Sequence, residues 1–255
     1  MKHDKRAVSF AAPPKGKKVH MKTVSMMQPF YLPWKGLFDM IHQSDVFVFY
    51  DDVKFVSKNW QSRNTIPTAN GLVWLTVPVL TKDRRTQNVC ETEINPNEDW
   101  QKKHYKTLSL TYAKAPYFKQ YAYLLEDFYL DHQWTNLGDL DVHTTKKLCE
   151  ALGIQVEFAR SSDYGFEGSK EGEKIIQLCN ALGCDQLING PKAAEYMNQE
   201  LFDAAGIDVR YMTYEYPEYR QLSRPFERGD SVLDWLFNTG EKAPYDIWGW
   251  KDGQK

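Results

Sequence analysis

Apolar and polar positions along the chain predict strands that are joined through helices. Thr23–Met27 is short, apolar and partly β-branched, and Val46–Tyr50 is an unbroken apolar run typical of a strand buried on both faces. Between them, Leu37–Ile41 has apolar residues at helical spacing. Parallel strands joined through a helix bring their carboxyl ends to one edge of a sheet, where ligands bind in such folds. We therefore expect Gln28–Gly36 and Asp51–Asp52 to lie together at that edge.

The second half of the chain repeats the alternation of strands and helices. Apolar runs predict three further strands, at Gln155–Ala159, Cys184–Ile188 and Ile207–Tyr214. Helical patterns lie between them, at Glu171–Leu182 and Lys192–Ala205. This order predicts an α/β fold with a mainly parallel sheet.

The middle of the chain interrupts this pattern. The turn signal Ala69-Asn70-Gly71 separates Arg63–Ile66 from the alternating strand Leu72–Val79, which predicts a β-hairpin, and Asn88–Ile94 predicts one more strand. Three helices are then predicted within residues 97–153, namely one that begins near Trp100, Tyr117–Leu130 and Asn136–Leu152. We expect these three helices to form a cap that packs on the sheet.

Composition divides the chain into three parts. Residues 1–21 are polar and basic and lack the apolar region of a signal peptide, so they are expected to be a disordered extension or a tag. Residues 22–240 are expected to form a single α/β domain, with the helical cap at about 97–153. Residues 241–255 are then a C-terminal tail, either docked or mobile.

Charge and cysteine content exclude several classes of protein. A net charge of -2 provides no basic field for DNA, and no apolar run approaches the ~20 residues of a membrane span. Four cysteines in 255 residues do not suggest a disulfide framework, so we expect a cytoplasmic protein. His42, His132 and His143 lack partners at ligand spacing, and no metal site is predicted.

Eight blocks of the sequence, in this order, resemble the WbqC-like family of bacterial surface-polysaccharide loci. They are QPFYLPWKGLFDMIHQSDVFVFYDDV, KNWQSRNTI, WLTVPV, DWQKKHYKTLSLTYAKAPYF, SSDYGFEGSK, LGCDQLINGP, ELFDAAGI and SVLDWLFNTG. The resemblance implies an aminoacyl transferase, with glycyl as one acyl unit, that acts on an amino sugar or a nucleotide-linked amino sugar in O-antigen or related synthesis. The acyl donor would be an amino acid with ATP, or an aminoacyl-tRNA.

The first block also resembles the first unit of the nucleotidyltransferase-like (HUP-like) Rossmannoid superfamily, in which a histidine-bearing loop meets ATP phosphates. Here Gln28 stands where the first histidine is expected, and Trp34-Lys35-Gly36 replaces the second. Glutamine cannot titrate or carry charge, which argues against ordinary adenylyl transfer. An ATP-using nucleotidyltransferase-like enzyme and a non-catalytic sugar-nucleotide-binding protein therefore remain as alternatives, with ATP and Mg²⁺ as the cofactors to expect.

Polar and aromatic residues near the predicted strand ends are the candidates for ligand binding. One group would hold the nucleotide or acyl donor, and comprises Gln28, Tyr31, Trp34 and Lys35 beside Asp51 and Asp52. A second group would form the opposite wall, and comprises Arg63, Asn64, Lys103, His104, Asn189 and Lys192. Two glycine-rich turns that precede helices would offer backbone amides to an anion, and contribute Gly168, Lys170 and Gly190.

Amide formation requires an acceptor for the proton of the attacking amine. The candidates are His104, Asp51 and Asp52, because an imidazole or a carboxylate can accept that proton. Cys149, Cys179 and Cys184 would offer an acyl-enzyme route, but none lies in a recognisable nucleophile setting. We therefore expect direct attack of the amine on an activated acyl group.

Overall fold

A computed structural model describes residues 21–84, 86–167, 172–195, 197–222 and 225–249. The described residues form a five-stranded parallel sheet and a separate two-stranded hairpin. In chain order the strands are β1 (Thr23–Met27), β2 (Val46–Phe49), β3 (Arg63–Thr68), β4 (Gly71–Thr76), β5 (Glu157–Arg160), β6 (Gln186–Asn189) and β7 (Asp208–Tyr211). Strands β3 and β4 make the hairpin, and the predicted α/β class with a mainly parallel sheet is confirmed.

Helices cover the sheet and make up the cap. The described α-helices are α1 (Lys35–His42), α2 (Trp100–Tyr112), α3 (Phe118–Tyr129), α4 (Leu137–Ala151), α5 (Glu173–Leu182), α6 (Gln199–Ala204), α7 (Val232–Thr239) and α8 (Ala243–Trp248). Short 3-10 helices occupy Val89–Glu91, Ser161–Asp163, Pro191–Glu195 and Gly240–Lys242. The three helices predicted for residues 97–153 are present as α2, α3 and α4.

The sheet separates two cores of unequal size. Successive residues of a strand point to opposite faces, so Phe47 and Phe49 of β2 enter one core while Val46 and Val48 enter the other. The larger core receives the cap helices together with α1 and α7. The smaller one packs against α5 and α6, for example through Phe202. Burial on both faces explains why β2 is an unbroken apolar run.

The strand order β5-β2-β1-β6-β7 places the first strand in the centre. The chain extends the sheet to one side of β1 through β2 and β5, and then returns to the other side through β6 and β7. The direction of winding therefore reverses between β1 and β6. Open parallel sheets bind ligands just beyond the carboxyl ends of two such strands.

Two predicted elements were wrong. Asn88–Ile94 is not a strand, because Asn88 and Glu91 form a capping box around the 3-10 helix Val89–Glu91, in which the Asn88 amide donates to Glu91 Oε2 at 2.8 Å. The helix predicted for Lys192–Ala205 is divided, because the extended backbone of Asn198 separates the 3-10 helix from α6.

The C-terminal segment includes a docked helix. Ile247 of α8 is buried, and the ring of Trp248 stacks on His42 of α1 with centroids 4.7 Å apart. This helix lies within the 241–255 segment that was expected as a tail.

A buried cluster joins the cap to the loop that follows β1. Tyr31 is fully buried; its hydroxyl lies 2.8 Å from His104 Nδ1 in α2 and 2.5 Å from the Tyr129 hydroxyl in α3. Burial lowers the pKa of His104 to about 4, outweighing a hydrogen bond to the backbone of Thr76. The imidazole is therefore neutral at pH 7.

His104 should make the protein lose stability in acid. Its folded pKa lies below the unfolded value of about 6.5, so between pH 6.5 and 4 only the unfolded chain takes up the proton. From pH 7 to pH 4, the free energy of unfolding of the wild type should therefore fall by roughly 3 kcal/mol more than that of His104→Asn. Urea titrations of wild type and His104→Asn at both pH values measure this. Parallel stability profiles for wild type and His104→Asn would contradict the assignment.

Candidate functional site

A cleft of about 840 Å³ opens where the winding of the sheet reverses. It is bounded by residues that follow β1, by residues that follow β6 and by the first turn of α5. The segment after β1 contributes Gln28, Phe30 and Trp34 among others. The last residue of β6, Asn189, and the segment that follows, with Lys192, form the other side. The position predicted from the strand pattern is therefore the position of this cleft.

The loop after β1 is irregular because Pro29 and Pro33 exclude regular hydrogen bonding there. Its backbone groups are satisfied from the hairpin side instead. The Asn64 side-chain amide donates to the Leu32 carbonyl at 2.6 Å, and the Tyr31 amide donates to the Trp60 carbonyl at 3.0 Å. The hairpin therefore holds this wall of the cleft in place.

Amide side chains from two segments meet at the end of β1. Gln61 donates from Nε2 to Gln28 Oε1 at 2.7 Å, which directs the Gln28 amide. Across the cleft, Asn189 ends β6 and donates to the Met197 sulfur. The adjacent Gly190 leaves space, since an added Cβ would meet only the Tyr214 hydroxyl, at 3.5 Å.

Aromatic side chains form much of the remaining surface. Trp34 packs edge-on against Tyr214 with centroids 4.7 Å apart, and Tyr50 lies at the end of β2. Burial raises the pKa of Tyr50 and of Tyr214 to about 12, so both hydroxyls are neutral hydrogen-bonding groups at pH 7. Gly36 lies beneath the Trp34 ring, where an added Cβ would fall 2.3 Å from the ring.

Two lysines bring positive charge to the cleft. Lys174, in the first turn of α5, forms an ion pair with Asp52, and its ammonium lies 4.8 Å from the centroid of the Tyr50 ring. Its side chain is 13% exposed. Lys192 follows β6 on the 3-10 helix and is exposed. Both lysines are among the residues that line the cleft.

The two aspartates after β2 have different environments. Asp51 is fully buried, and its carboxylate accepts from Arg160 Nε at 2.6 Å and from Ser162 at 3.1 Å. Asp51 therefore anchors β2 to β5 and is not available to a ligand. Asp52 is not itself among the lining residues, but it is bonded to Ser161 and to Lys174, and Lys174 lines the cleft.

Lys35 does not face the cleft as expected. It is 4% exposed, donates to the Arg228 carbonyl, and lies 5.0 Å from the centroid of the Trp235 ring. Burial lowers its pKa, although the nearby charges of Asp230 and Asp234 partly oppose this. Lys35 is therefore a buried countercharge for two aspartates and not a phosphate ligand.

The expected opposite wall forms only in part. Asn64, Asn189, Gly190 and Lys192 line the cleft with Gln28, Tyr31 and Trp34. His104 lies behind Tyr31, while Arg63 stacks on Trp74 of the hairpin at 4.1 Å. Lys103 is exposed on α2 and is not among the lining residues. Gly168 and Lys170 lie outside the described residues.

Sequence reasoning missed several lining residues. Lys174, Tyr50, Trp60, Phe30 and Tyr214 line the cleft but were not among the predicted site residues. Lys174 had one usable signal, since it lies in the first turn of a helix that follows a glycine-rich segment. The other lining residues reach the cleft only through the way in which the hairpin and the segment after β7 pack over the sheet.

The comparisons with known proteins agree with the sequence blocks. The model of the WbqC-like protein family matches residues 28–245. The "Uncharacterized protein Rv1507c" of Mycobacterium tuberculosis (strain ATCC 25618 / H37Rv) is 39% identical over 225 residues, which cover 88% of this chain and 96% of that protein. No solved structure matches the chain significantly.

The described helices are all short. The longest of them, α4, has 15 residues, and none in the described ranges combines the length and hydrophobicity of a bilayer crossing.

The family match extends from the cleft loop after β1 into α8, so it includes both walls of the cleft. The chain belongs to the WbqC-like protein family.

Proposed function

We propose that the cleft binds a nucleotide-linked amino sugar and that the protein transfers an aminoacyl unit to the sugar amine, in the synthesis of O-antigen or another bacterial surface polysaccharide. The observation that carries the proposal is the cleft between β1 and β6, where aromatic walls surround two lysines and three amide side chains. A base or sugar ring suits the aromatic surfaces, and a diphosphate suits the lysines.

The position of the anion follows from the two lysines. Lys174 rises from α5 and Lys192 from the segment after β6, so they approach the cleft from neighbouring crossovers. A diphosphate placed between them would compete with Asp52 for the Lys174 ammonium. Binding would then free the Asp52 carboxylate to meet the positive charge of the sugar ammonium.

The proposed reaction forms one C–N bond. The sugar ammonium first gives one proton to Asp52, which passes it to solvent, and the neutral amine then attacks the acyl carbonyl. As the bond from that carbon to its leaving group breaks, the nitrogen loses its second proton. This proton goes to the departing ribose oxygen when a tRNA leaves, and to solvent when AMP leaves. The leaving group is AMP from an aminoacyl adenylate or the terminal hydroxyl of a tRNA. Asp52 is preferred as the base because the other two candidates are occupied. Asp51 is buried and paired with Arg160, and His104 is buried behind Tyr31.

The cysteines do not support an acyl-enzyme route. Burial raises the pKa of Cys149, Cys179 and Cys184, the last to about 11. None of the three lines the cleft. Direct attack by the amine therefore remains the proposed path.

Binding without catalysis is the second candidate. It is favoured by the burial of Asp51 and His104, which leaves Asp52 as the one predicted base beside the cleft. Incubation with a nucleotide-linked amino sugar, ATP and an amino acid, or with aminoacyl-tRNA, separates the candidates by mass spectrometry. An amide product supports transfer, a nucleotide adduct indicates nucleotidyl transfer, and saturable binding without product indicates a binding protein.

Removal of the Lys174 charge should weaken binding of the nucleotide-linked sugar. Lys174→Met keeps the aliphatic stem but removes a charge-assisted contact, so we expect the dissociation constant to rise roughly tenfold or more. Calorimetry at low salt measures it, with exposed Lys82→Met on the loop after β4 as the matched control. Equal affinities for the two variants would exclude an anion beside Lys174.

Gly36→Ala should weaken the same binding without direct contact to a ligand. The new methyl must displace the Trp34 ring, and with it part of the aromatic wall. We expect a loss of about 1–3 kcal/mol in stability and a clear loss of affinity. Gly229→Ala is the control, because Gly229 lines the same cleft and its added methyl would meet nothing within 4 Å. Wild-type affinity in Gly36→Ala would show that Trp34 does not shape the binding surface.

Asp52→Asn should slow amide formation by about 10²–10⁴ while leaving substrate binding largely intact. The amide keeps the shape of the carboxylate but cannot accept the amine proton. Single-turnover rates and calorimetry separate the two effects. Asp51→Asn provides the contrast, since losing the Arg160 contact should lower the melting temperature. A wild-type rate in Asp52→Asn would leave the reaction without this base.

A further inference from the structure

A second cluster of ligating side chains lies in the helical cap, away from the cleft. Asp127 is in the last turn of α3, His132 is in the following loop, and His143 is in α4. One ligand atom from each side chain lies within 4.8 Å of the others. His143 Nε2 is 2.6 Å from one Asp127 oxygen, and His132 Nε2 is 3.5 Å from the other.

We propose that Asp127, His132 and His143 bind one zinc ion, with water in the fourth position. Two imidazoles and a carboxylate are a donor set that zinc uses at open sites. Tetrahedral bonds of about 2.0–2.1 Å place the ligand atoms about 3.3 Å apart. The observed separations lie on either side of that value, so small side-chain rotations suffice.

The surroundings hold the cluster together but leave it accessible. The Trp134 ring lies 5.0 Å from the His132 ring and 5.1 Å from the His143 ring, and its indole nitrogen donates to the Phe128 carbonyl at 2.7 Å. The loop between α3 and α4 is therefore pinned by the same tryptophan that packs on both imidazoles. The side chains of Asp127 and His143 are about a quarter exposed, and that of His132 is 41% exposed, so an ion can enter.

An ordinary ion pair between His143 and Asp127 would explain only part of this arrangement. It requires neither His132 nor the close approach of the two imidazoles, whose centroids are 4.7 Å apart. Zinc uses all three side chains and joins the end of α3 to α4. Tyr129, two residues beyond Asp127, contacts Tyr31 in the wall of the cleft, so the ion would also stabilise the cap behind that wall.

Zinc titration of the full chain, without an added histidine tag, tests the site. We expect one equivalent to bind and to raise the melting temperature, and Co²⁺ in its place to show the visible bands of a tetrahedral site. His132→Ala and His143→Ala should each weaken binding by more than about 100-fold, because even groups that only orient metal ligands are worth about 10–100-fold. His42→Ala, a histidine of α1, should bind zinc as wild type does.

Two further variants make the result decisive. Asp127→Asn preserves side-chain shape, so a loss of zinc affinity in that variant cannot be assigned to misfolding if its circular dichroism matches wild type. His3→Ala combined with His20→Ala removes the two histidines of the N-terminal segment and should leave binding unchanged. Absence of zinc binding in wild type would overturn the proposal, as would unchanged binding in both His132→Ala and His143→Ala.

Discussion

The loop after β1 must satisfy its backbone polar groups without being a helix or a strand, and much of the structure depends on how it does so. Its prolines exclude regular pairing, so partners come from elsewhere. Asn64 and Trp60 bond its backbone from the hairpin side, and the Tyr31 hydroxyl reaches His104 and Tyr129 in the cap. The hairpin and the cap, which interrupt the β–α alternation in the sequence, therefore serve to hold one wall of the cleft.

The fold was predictable where one physical pattern dominated. Strands buried on both faces have to be apolar throughout, which identified β2 and the parallel sheet. The prediction failed at Asn88–Ile94, where Val89 and Ile94 are buried but are not part of one strand. Val89 is buried from the 3-10 helix, whereas Ile94 is buried from an isolated β-bridge with Val79. A short run of apolar residues cannot distinguish these cases.

The candidate site was predictable in position but less so in its residues. Trp100, His104, Leu108 and Tyr112 recur every fourth residue and form the buried face of α2. That spacing already assigns His104 to the core and its neighbour Lys103 to solvent, although charge and family resemblance pointed to both as ligand groups. Lys174 was missed because its role depends on α5 packing beside Tyr50, a contact between residues far apart in the chain.

Two sets of buried charged side chains face opposite charges within the protein. Arg160 neutralises Asp51, and Lys35 faces Asp230 and Asp234, whose pKa values burial raises, that of Asp230 to about 7. Because the folded state holds the Asp230 proton more tightly than the unfolded chain, this group costs stability as the pH rises from about 4 to 7. None of these five side chains lines the cleft. The anion that we propose for the cleft would therefore meet Lys174 and Lys192, which line it.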